Sequence, residues 1–297
     1  MADRGVGAGV CPVGAGAGWV GLVWAGSVRV SLEGAGTLWV VRQDEQTRTR
    51  SKSFGEIATD YDRFRPGPPD EVVDWLLPPQ AVDVLELGAG TGGLTRQLVG
   101  RVSHVRAVEP DDRMRAVLAD RVPRAEVVAG RAEEIPADDG SFDAVMVASA
   151  WHWVDEERAV PEVARVLRPG GRLSLLWSGP DRTIDWVREI FAGGQTQSAE
   201  RIEAWDARRR ERHTVNLGPE SPFTEPERRR VSWAMPMTRA EILGLVGTYS
   251  VAITMSATAR QEHVASISRH LDTQTALATD GTLEMPMRCL CWRAALR

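Results

Sequence analysis

Residues 82–93 read VDVLELGAGTGG, and this stretch decides the fold. A short apolar run leads into a glycine-rich turn, and apolar residues with helical spacing follow at Leu94 and Leu98. Gly88 permits a tight turn, and Gly90 permits a ligand to approach the backbone closely. The N-terminus of the following helix offers free N–H groups and the positive end of the helix dipole. The stretch therefore predicts a strand, a turn and a helix that together bind a ligand.

Short apolar runs alternate with helical segments on either side of this unit, which is typical of a parallel sheet covered by helices. We predict an α/β fold with a doubly wound, seven-stranded Rossmann-like sheet. Helices at 239–246 and 260–271 are expected near the open edge of this sheet. The predicted strands are residues 81–87, 105–109, 126–129, 142–148, 172–177, 231–235 and 285–292.

The main domain is predicted to span residues 51–297 and to have three parts. Residues 51–181 form its core, and residues 223–297 complete the sheet. Residues 182–222 carry less regular patterning, and with the loop at 248–250 they are expected to form a variable lid that selects the substrate.

Residues 1–50 differ from the rest of the chain. No charged residue occurs between residues 5 and 28, and glycine is unusually frequent. A membrane or signal segment is one interpretation, but glycine dominates and no basic cluster precedes the uncharged run. We expect a low-complexity extension that is disordered or precedes the true start, with Val40 or Val41 as the first residue. Peptides from this segment in a mass spectrum of the native protein would refute the second alternative.

The overall composition is that of an ordinary globular protein. Hydrophobic residues make up 43% and charged residues 26%, which excludes wholesale disorder and a polytopic membrane protein. A formal net charge of −5 provides no general attraction to nucleic acid or anionic lipid. With three cysteines, of which Cys289 and Cys291 are expected in the core, a reducing cytoplasm is the simplest location. We expect a monomer or homodimer with no nucleic-acid or membrane partner.

The glycine turn alone is compatible with two cofactors. Gly88, Gly90 and Gly93 also satisfy the dinucleotide pattern G-x-G-x-x-G. Glu109 ends the second predicted strand, where a carboxylate accepts hydrogen bonds from the hydroxyls of an adenosine ribose in either class of enzyme. Glu86, two residues before the first glycine, and the later segments favour S-adenosylmethionine over a nicotinamide.

Five ordered blocks resemble the class I S-adenosylmethionine-dependent methyltransferases, in particular the group with ubiquinone/menaquinone-biosynthesis and trans-aconitate methyltransferases. The blocks are VDVLELGAGTGG at 82–93, AVEPDDRM at 107–114, GRAEEIP at 130–136, SFDAVMVASAWHWVD at 141–155 and RVLRPGGRL at 165–173. The resemblance implies S-adenosylmethionine as cofactor and a small-molecule acceptor, with transfer of the methyl group by in-line attack. It extends from about residue 54 to the C-terminus.

The resemblance also implies a cofactor site. Glu86 and the glycines would shape its methionine end, Glu109 would bind the ribose, and Met114 would pack on the adenine. Arg131 departs from the family, which often has an acid before the alanine that edges the adenine. Tyr61 lies in ATDYDRFRP, which matches a segment that covers the cofactor. The residues carried over are Tyr61, Glu86, Gly88, Ala89, Gly90, Glu109, Met114, Ala132, Glu133 and Ser149.

His152, between two tryptophans after the fourth strand, is the candidate catalytic residue, as a base or as a substrate contact. Its other interpretation is a histidine packed between Trp151 and Trp153. No metal site is expected, because His263 and His270 are too far apart in sequence to be paired ligands. Two other functions stay open: an NAD(P)-dependent oxidoreductase that uses the same turn, and a noncatalytic protein that binds S-adenosylmethionine.

Overall fold

The computed structural model describes residues 54–193, 198–215, 217, 220–273 and 281–297, with only the helical backbone at 205 and 208–212. It also describes three short strands earlier in the chain, β1 (Val23–Trp24), β2 (Ser27–Ser31) and β3 (Thr37–Val41). These pair antiparallel in the order β1-β2-β3, within a unit separate from Arg50–Arg297. The other residues of 1–50 lie outside the described part, so the proposals of disorder and of a later start stay predictions.

A seven-stranded mixed sheet forms the centre of the second unit, which confirms the predicted fold class. Its spatial order is β6-β5-β4-β7-β8-β10-β9. The first five strands in this order are parallel, whereas β10 runs antiparallel to both β8 and β9. The strands are β4 (Asp83–Leu87), β5 (His104–Val108), β6 (Glu126–Val128), β7 (Phe142–Ala148), β8 (Leu167–Pro180), β9 (Glu227–Thr238) and β10 (Thr282–Ala295).

Ten α-helices are described along this unit. Side chains cap the beginnings of several of them: the carboxylate of Asp111 accepts from two backbone N–H groups, Thr238 forms a capping box with Glu241, and the Ser256 hydroxyl accepts from the N–H of Ala259. The helices are α1 (Ala58–Phe64), α2 (Asp70–Leu76), α3 (Thr95–Leu98), α4 (Asp112–Arg121), α5 (Glu156–Val166), α6 (Asp185–Phe191), α7 (Ala199–Arg212), α8 (Arg239–Gly247), α9 (Ser250–Ile253) and α10 (Ala257–Asp272).

The strand order reverses between β4 and β7. The chain proceeds from β4 through β5 to β6 on one side, then returns to place β7 and β8 on the other side. Helices that leave adjacent strands at such a point diverge, which opens a crevice outside the carboxyl ends of the strands. The glycine turn at the end of β4 lies at this crevice.

The boundary between α5 and β8 differs from the sequence prediction. The strand was predicted to begin at Arg172, but α5 ends at Val166 and β8 already begins at Leu167. The pairing of β8 with β7 shifts register here, from Phe142 with Leu167 to Ala144 with Arg172. The Pro-Gly-Gly segment is thus an irregularity within the strand, and Gly170 takes a φ of 76° that favours glycine.

Apolar side chains from both faces of the sheet form the core. Cys289 and Cys291 are buried on β10, as predicted. A separate apolar cluster joins α6, α8 and α10 to β9 and β10, which confirms that the two C-terminal helices lie near the open edge. No helix in the described part of the chain has the length and apolar character needed to cross a membrane.

Candidate functional site

A cavity of about 690 Å³ opens at the carboxyl ends of the parallel strands. Segments that follow β4, β5, β6, β7 and β8 line it, together with α1 and residues 246–252. Eight of the ten cofactor-site residues predicted from the sequence line this cavity, as does His152; Glu86 and Ala89 do not. The eight are Tyr61, Gly88, Gly90, Glu109, Met114, Ala132, Glu133 and Ser149.

The glycine turn bends tightly over the end of β5. The N–H groups of Gly88 and Ala89 both donate to the carbonyl of Val108, at 2.8 and 3.2 Å. Gly88 has a φ of 65°, and a Cβ there would lie 2.6 Å from the Cβ of Ala150. Gly90 has a φ of 59°, but a Cβ there would have no neighbour within 4 Å. Packing therefore requires glycine at 88, whereas glycine at 90 leaves the space above the turn open to a ligand.

Glu109 is held by two backbone groups at the edge of the cavity. Its Oε2 accepts from the N–H of Gly90 at 2.8 Å, and its Oε1 accepts from the N–H of Asp111 at 3.0 Å. Burial raises the pKa of Glu109, and these two hydrogen bonds oppose that rise. A carboxylate oxygen can accept more than one hydrogen bond, so both oxygens retain capacity for a ligand hydroxyl.

Glu86 lies beneath the glycine turn. Its side chain is fully buried, and its Oε2 accepts a hydrogen bond from the hydroxyl of Thr95 at 2.6 Å. Burial raises the pKa of Glu86 to about 8, an effect that the Thr95 hydrogen bond opposes and the nearby charge of Glu109 reinforces. Glu86 therefore ties the turn to the first residue of α3. Ala89 packs in a small apolar cluster with Leu118 of α4.

The residues predicted to lie beside the adenine come from α4 and from the segment after β6. Met114 is buried, and Asp111 caps its backbone N–H. Glu133 accepts from the backbone N–H of Asp155 at 3.0 Å and pairs with Arg131 at 3.3 Å. Glu133 thereby ties the segment after β6 to the loop that precedes α5.

Ser149 directly follows β7 and has a backbone conformation that is uncommon for serine. Its φ is 55°, and among the non-glycine residues that the structure describes it alone has a positive φ. Its N–H donates to the carbonyl of Leu176 at 2.7 Å, which holds the turn against β8. Strained backbone of this kind persists where the surrounding structure imposes it, and it is frequent at functional sites. Ser149 lines the cavity.

His152 lies in a short 3₁₀ helix, Trp151–Trp153, directly after β7. The indole N–H of Trp177 donates to its Nδ1 at 3.3 Å. A ring nitrogen that accepts a hydrogen bond carries no proton, so the proton of the neutral ring is on Nε2. In this tautomer Nε2 is a hydrogen-bond donor, and His152 lines the cavity.

The sequence analysis missed two further side chains that line the cavity, Arg65 and Arg182. Arg65 follows α1, and its guanidinium donates to the hydroxyl and the carbonyl of Thr248 at 2.8 and 3.1 Å. Arg182 follows β8, and its guanidinium carbon lies 3.9 Å from the ring centre of Phe191. Arg65 belongs to the same ATDYDRFRP motif as Tyr61. The motif that predicted a site role for Tyr61 could therefore also have predicted one for Arg65. Arg182 is the first residue of the less regular region 182–222, which contained no motif that predicted a site role.

The predicted lid region contributes residues to the lining of the cavity. Arg182, Phe191 and His213 lie within residues 182–222 and line it, as does Tyr249 from the loop at 248–250. Trp186 packs against the C-terminal apolar cluster and is not a lining residue. Movement of the lid stays a prediction.

The amino-acid sequence of this chain is similar to those of known methyltransferases. A relative from Mycobacterium tuberculosis, described as an uncharacterized methyltransferase, is 45% identical over 249 residues, which cover 84% of this chain and 98% of the relative. The chain belongs to the methyltransferase family. A family model for a methyltransferase domain matches residues 85–175 of this methyltransferase, from β4 to β8. These findings confirm the resemblance drawn from the sequence blocks.

A second relative and a solved structure are also methyltransferases, in agreement with the family assignment. A demethylmenaquinone methyltransferase from Thermotoga maritima is 31% identical to this methyltransferase over 124 residues, which cover 41% of the chain and 54% of the relative. A solved structure of a provisionally assigned type II methyltransferase from Anaeromyxobacter dehalogenans matches with a TM-score of 0.56 and 25% identity. The match covers 79% of this chain and 98% of that one. The methyltransferase fold therefore extends over the second unit.

Proposed function

We propose that this methyltransferase binds S-adenosylmethionine in the cavity and transfers its methyl group to a small-molecule acceptor. The observation that carries the proposal is the position of Glu109. Its carboxylate lies at the end of β5, held by the N–H groups of Gly90 and Asp111, at the edge of a cavity that opens where the strand order reverses. Two oriented carboxylate oxygens suit the two hydroxyls of an adenosine ribose.

The residues around Glu109 fit such a cofactor. A Cβ at Gly90 would project into open space, so the missing side chain leaves room above the turn. Met114 offers an apolar surface for an adenine face, and Ala132 and Glu133 lie beside it on the adjacent segment. Gly88 and Ser149 line the cavity between the ends of β4 and β7, where the methionine part is expected.

When bound, S-adenosylmethionine supplies a methyl group that is activated for nucleophilic attack by the positive charge on sulfur. The main task of this chain is to align the two reactants and to exclude water. Phe54, Tyr61 and Trp153 form an aromatic wall, with Phe54 edge-on to both other rings at 5.8 and 6.2 Å. Alignment of this kind supplies roughly 7 to 11 kcal/mol toward a two-substrate reaction.

We further propose that His152 contacts the acceptor as a hydrogen-bond donor. The Trp177 N–H occupies Nδ1, which leaves the proton of the neutral ring on Nε2. A base at Nε2 would require the opposite tautomer and the loss of that hydrogen bond. The geometry therefore favours the substrate-contact role over the base role, and an acceptor with no proton to lose suits such a site.

Calorimetric titration with S-adenosylhomocysteine and with NAD(H) tests the cofactor. Micromolar binding of S-adenosylhomocysteine with no response to NAD(H) supports the proposal, and the reverse result would establish the oxidoreductase alternative. Incubation of a metabolite extract with an isotopically labelled donor then tests turnover. Cofactor binding without labelled product across fractions of the extract would support the noncatalytic alternative instead.

A further inference from the structure

Residues 54–65 form a segment that we name the strap. It consists of a 3₁₀ turn at Phe54–Ile57, α1 and Arg65. The strap supplies Phe54 and Tyr61, two of the three rings of the aromatic wall, to the lining of the cavity. It packs against both α4 and α8. The position of the two rings therefore depends on how the strap is anchored to these helices.

Asp62 anchors the strap to the helices that follow β4 and β5. Its Oδ1 accepts from Nη2 of Arg96 on α3 at 2.8 Å, and its Oδ2 lies 3.3 Å from Nε of Arg121 on α4. The Asp62 side chain is 12% exposed, whereas those of Arg96 and Arg121 are 36% and 56% exposed. Nη1 of Arg96 also donates to the carbonyl of Thr91, in the glycine turn, at 3.3 Å. One carboxylate thus joins the strap to the turn and to both helices.

Arg65 anchors the end of the strap to the segment between α8 and α9. Its guanidinium donates to the hydroxyl and the carbonyl of Thr248, a residue that is buried. The guanidinium carbon lies 5.1 Å from the ring centre of Tyr61 and 3.7 Å from that of Tyr249. Arg65 therefore contacts one ring of the strap and one ring of the loop, and both rings line the cavity.

Two glycines permit the close fit of the strap. A Cβ at Gly55 would overlap the carboxylate of Asp111, the residue that caps α4. A Cβ at Gly244 of α8 would lie 2.5 Å from a ring carbon of Phe64, near the other end of the strap. The strap is thus seated closely against α4 at its beginning and against α8 at its end.

The two anchors differ in their chemistry. Asp62 forms ion pairs with arginines that are partly exposed, and salt weakens such pairs by screening. The hydrogen bonds of Arg65 go to neutral acceptors on a buried residue, so salt has little effect on them. Ionic strength should therefore act on the first anchor and spare the second.

We propose that Asp62 and Arg65 are positioning residues that hold the strap on the bound cofactor, and that the ion pairs of Asp62 make cofactor release depend on ionic strength. The inference rests on the proposed function and adds a control of cofactor release to it. Both residues act through the rings of Phe54 and Tyr61, which must move away before a cofactor behind them can leave. Release of the cofactor product after each turnover requires the same movement.

The rate at which the full chain releases S-adenosylhomocysteine provides the test. Stopped-flow tryptophan fluorescence measures it, with Trp153, which contacts Phe54, as one reporter. At neutral pH this probe carries one ammonium group, one carboxylate group and no net charge, so salt acts mainly on ion pairs of the protein. Between about 0.05 M and about 0.5 M sodium chloride, we expect release to become roughly threefold faster. A rate that does not rise with salt would overturn the inference.

Asp62→Asn keeps the size of the side chain and removes its charge. We expect this variant to release the probe about threefold to tenfold faster at low salt and to lose most of the response to salt. Arg121→Gln should have a smaller effect, and its addition to Asp62→Asn should change the rate no further, because Arg121 acts through Asp62. Asp60→Asn is the matched control, since Asp60 is exposed on α1 and outside the cavity lining.

Arg65→Met tests the second anchor. It should release the probe about tenfold faster and keep the response to salt, because the lost acceptors are neutral. Arg65→Lys retains the charge but cannot reproduce both hydrogen bonds, so an intermediate rate is expected. Arg63→Met, at an exposed position of α1 outside the cavity lining, is the control.

Thermal unfolding and the same release rates separate the possible outcomes. A merely structural role of Asp62 would lower the melting temperature of Asp62→Asn and leave the salt response of release unchanged, which would contradict the inference. If the unaltered chain does not bind S-adenosylhomocysteine, the proposed function fails and this inference fails with it. If the chain binds the probe and both anchor variants release it at the rates of their controls, only the role of the strap is wrong.

Discussion

The backbone N–H of Gly90 donates to Oε2 of Glu109 at 2.8 Å, which ties the glycine turn after β4 to the acid that ends β5. The two residues follow neighbouring parallel strands and are nineteen positions apart in sequence. The hydrogen bond sets the orientation of the carboxylate before any ligand binds. An acceptor oriented in advance loses less entropy on binding, which favours affinity for a diol.

Replacement of Glu109 by alanine is the direct test of this arrangement. The change removes the carboxylate and leaves the N–H groups of Gly90 and Asp111 without their partner. We expect S-adenosylhomocysteine affinity to fall by about 2–3 kcal/mol, as for loss of a buried charged acceptor. Calorimetric titration measures the loss. Glu134→Ala, at an exposed acid outside the cavity lining, serves as control, and unchanged affinity in Glu109→Ala would move the ribose contact elsewhere.

Two substitutions distinguish the roles of His152. Glutamine places an amide N–H₂ near the position of Nε2 and cannot act as a base at neutral pH. If His152 is a donor, His152→Gln keeps most of the methyl transfer, whereas His152→Ala loses about threefold to tenfold, the value of a neutral hydrogen bond. Initial rates with the identified acceptor provide the measurement. Equal and severe loss in both variants, with a rate that rises with pH in the unaltered protein, would indicate a base.

Glu86 makes the stability of the fold depend on pH. Burial raises its pKa from an ordinary value of 4.5 to about 8, so between these values the folded chain holds a proton that the unfolded chain has released. The free energy of unfolding therefore falls as pH rises through this window. Each pKa unit corresponds to about 1.4 kcal/mol, so the contribution is several kcal/mol at most.

Glu86→Gln should remove this part of the pH dependence, because glutamine does not titrate. Urea unfolding near pH 5 and near pH 8 measures it as the difference between the variant and the unaltered protein. Glu203→Gln, at an exposed acid, is the control. If the stability of Glu86→Gln falls with pH as steeply as that of the unaltered protein, Glu86 is ionised in the fold.

The backbone at Ser149 predicts an unusual order of stabilities. A φ of 55° disfavours β-branched side chains most and glycine least. We expect Ser149→Val to lose about 1 kcal/mol or more of folding free energy, and Ser149→Gly to remain close to the unaltered protein because relief of strain offsets the entropy of glycine. Ser149→Ala is the control for loss of the hydroxyl. Thermal unfolding measures all three, and an undiminished stability of Ser149→Val would show that the backbone is not constrained as described.

The sheet and the cofactor end were predictable because their signals are local. An apolar run, two glycines and a helical period are contiguous in residues 82–98, and Glu109 directly follows the next apolar run. β4 and β5 are neighbours both along the chain and on the sheet, because the right-handed crossover of a parallel α/β unit places them side by side. The α5–β8 boundary was not predictable in this way, because pairing with β7 draws Pro169 and Gly170 into the strand against their local preference.

The amino-acid sequence by itself predicted a doubly wound sheet for the second unit and a ligand site at its glycine turn, and it showed that the chain resembles the methyltransferases. Only the tertiary structure decided that Glu86 lies beneath the turn, that Trp177 holds His152 in one tautomer, and that Arg65 and Arg182 share one tyrosine ring. The physical reason is distance along the chain. Backbone preferences act between neighbours in sequence, whereas Arg65 and Tyr249 meet through packing of elements nearly two hundred residues apart, and no local pattern encodes that contact.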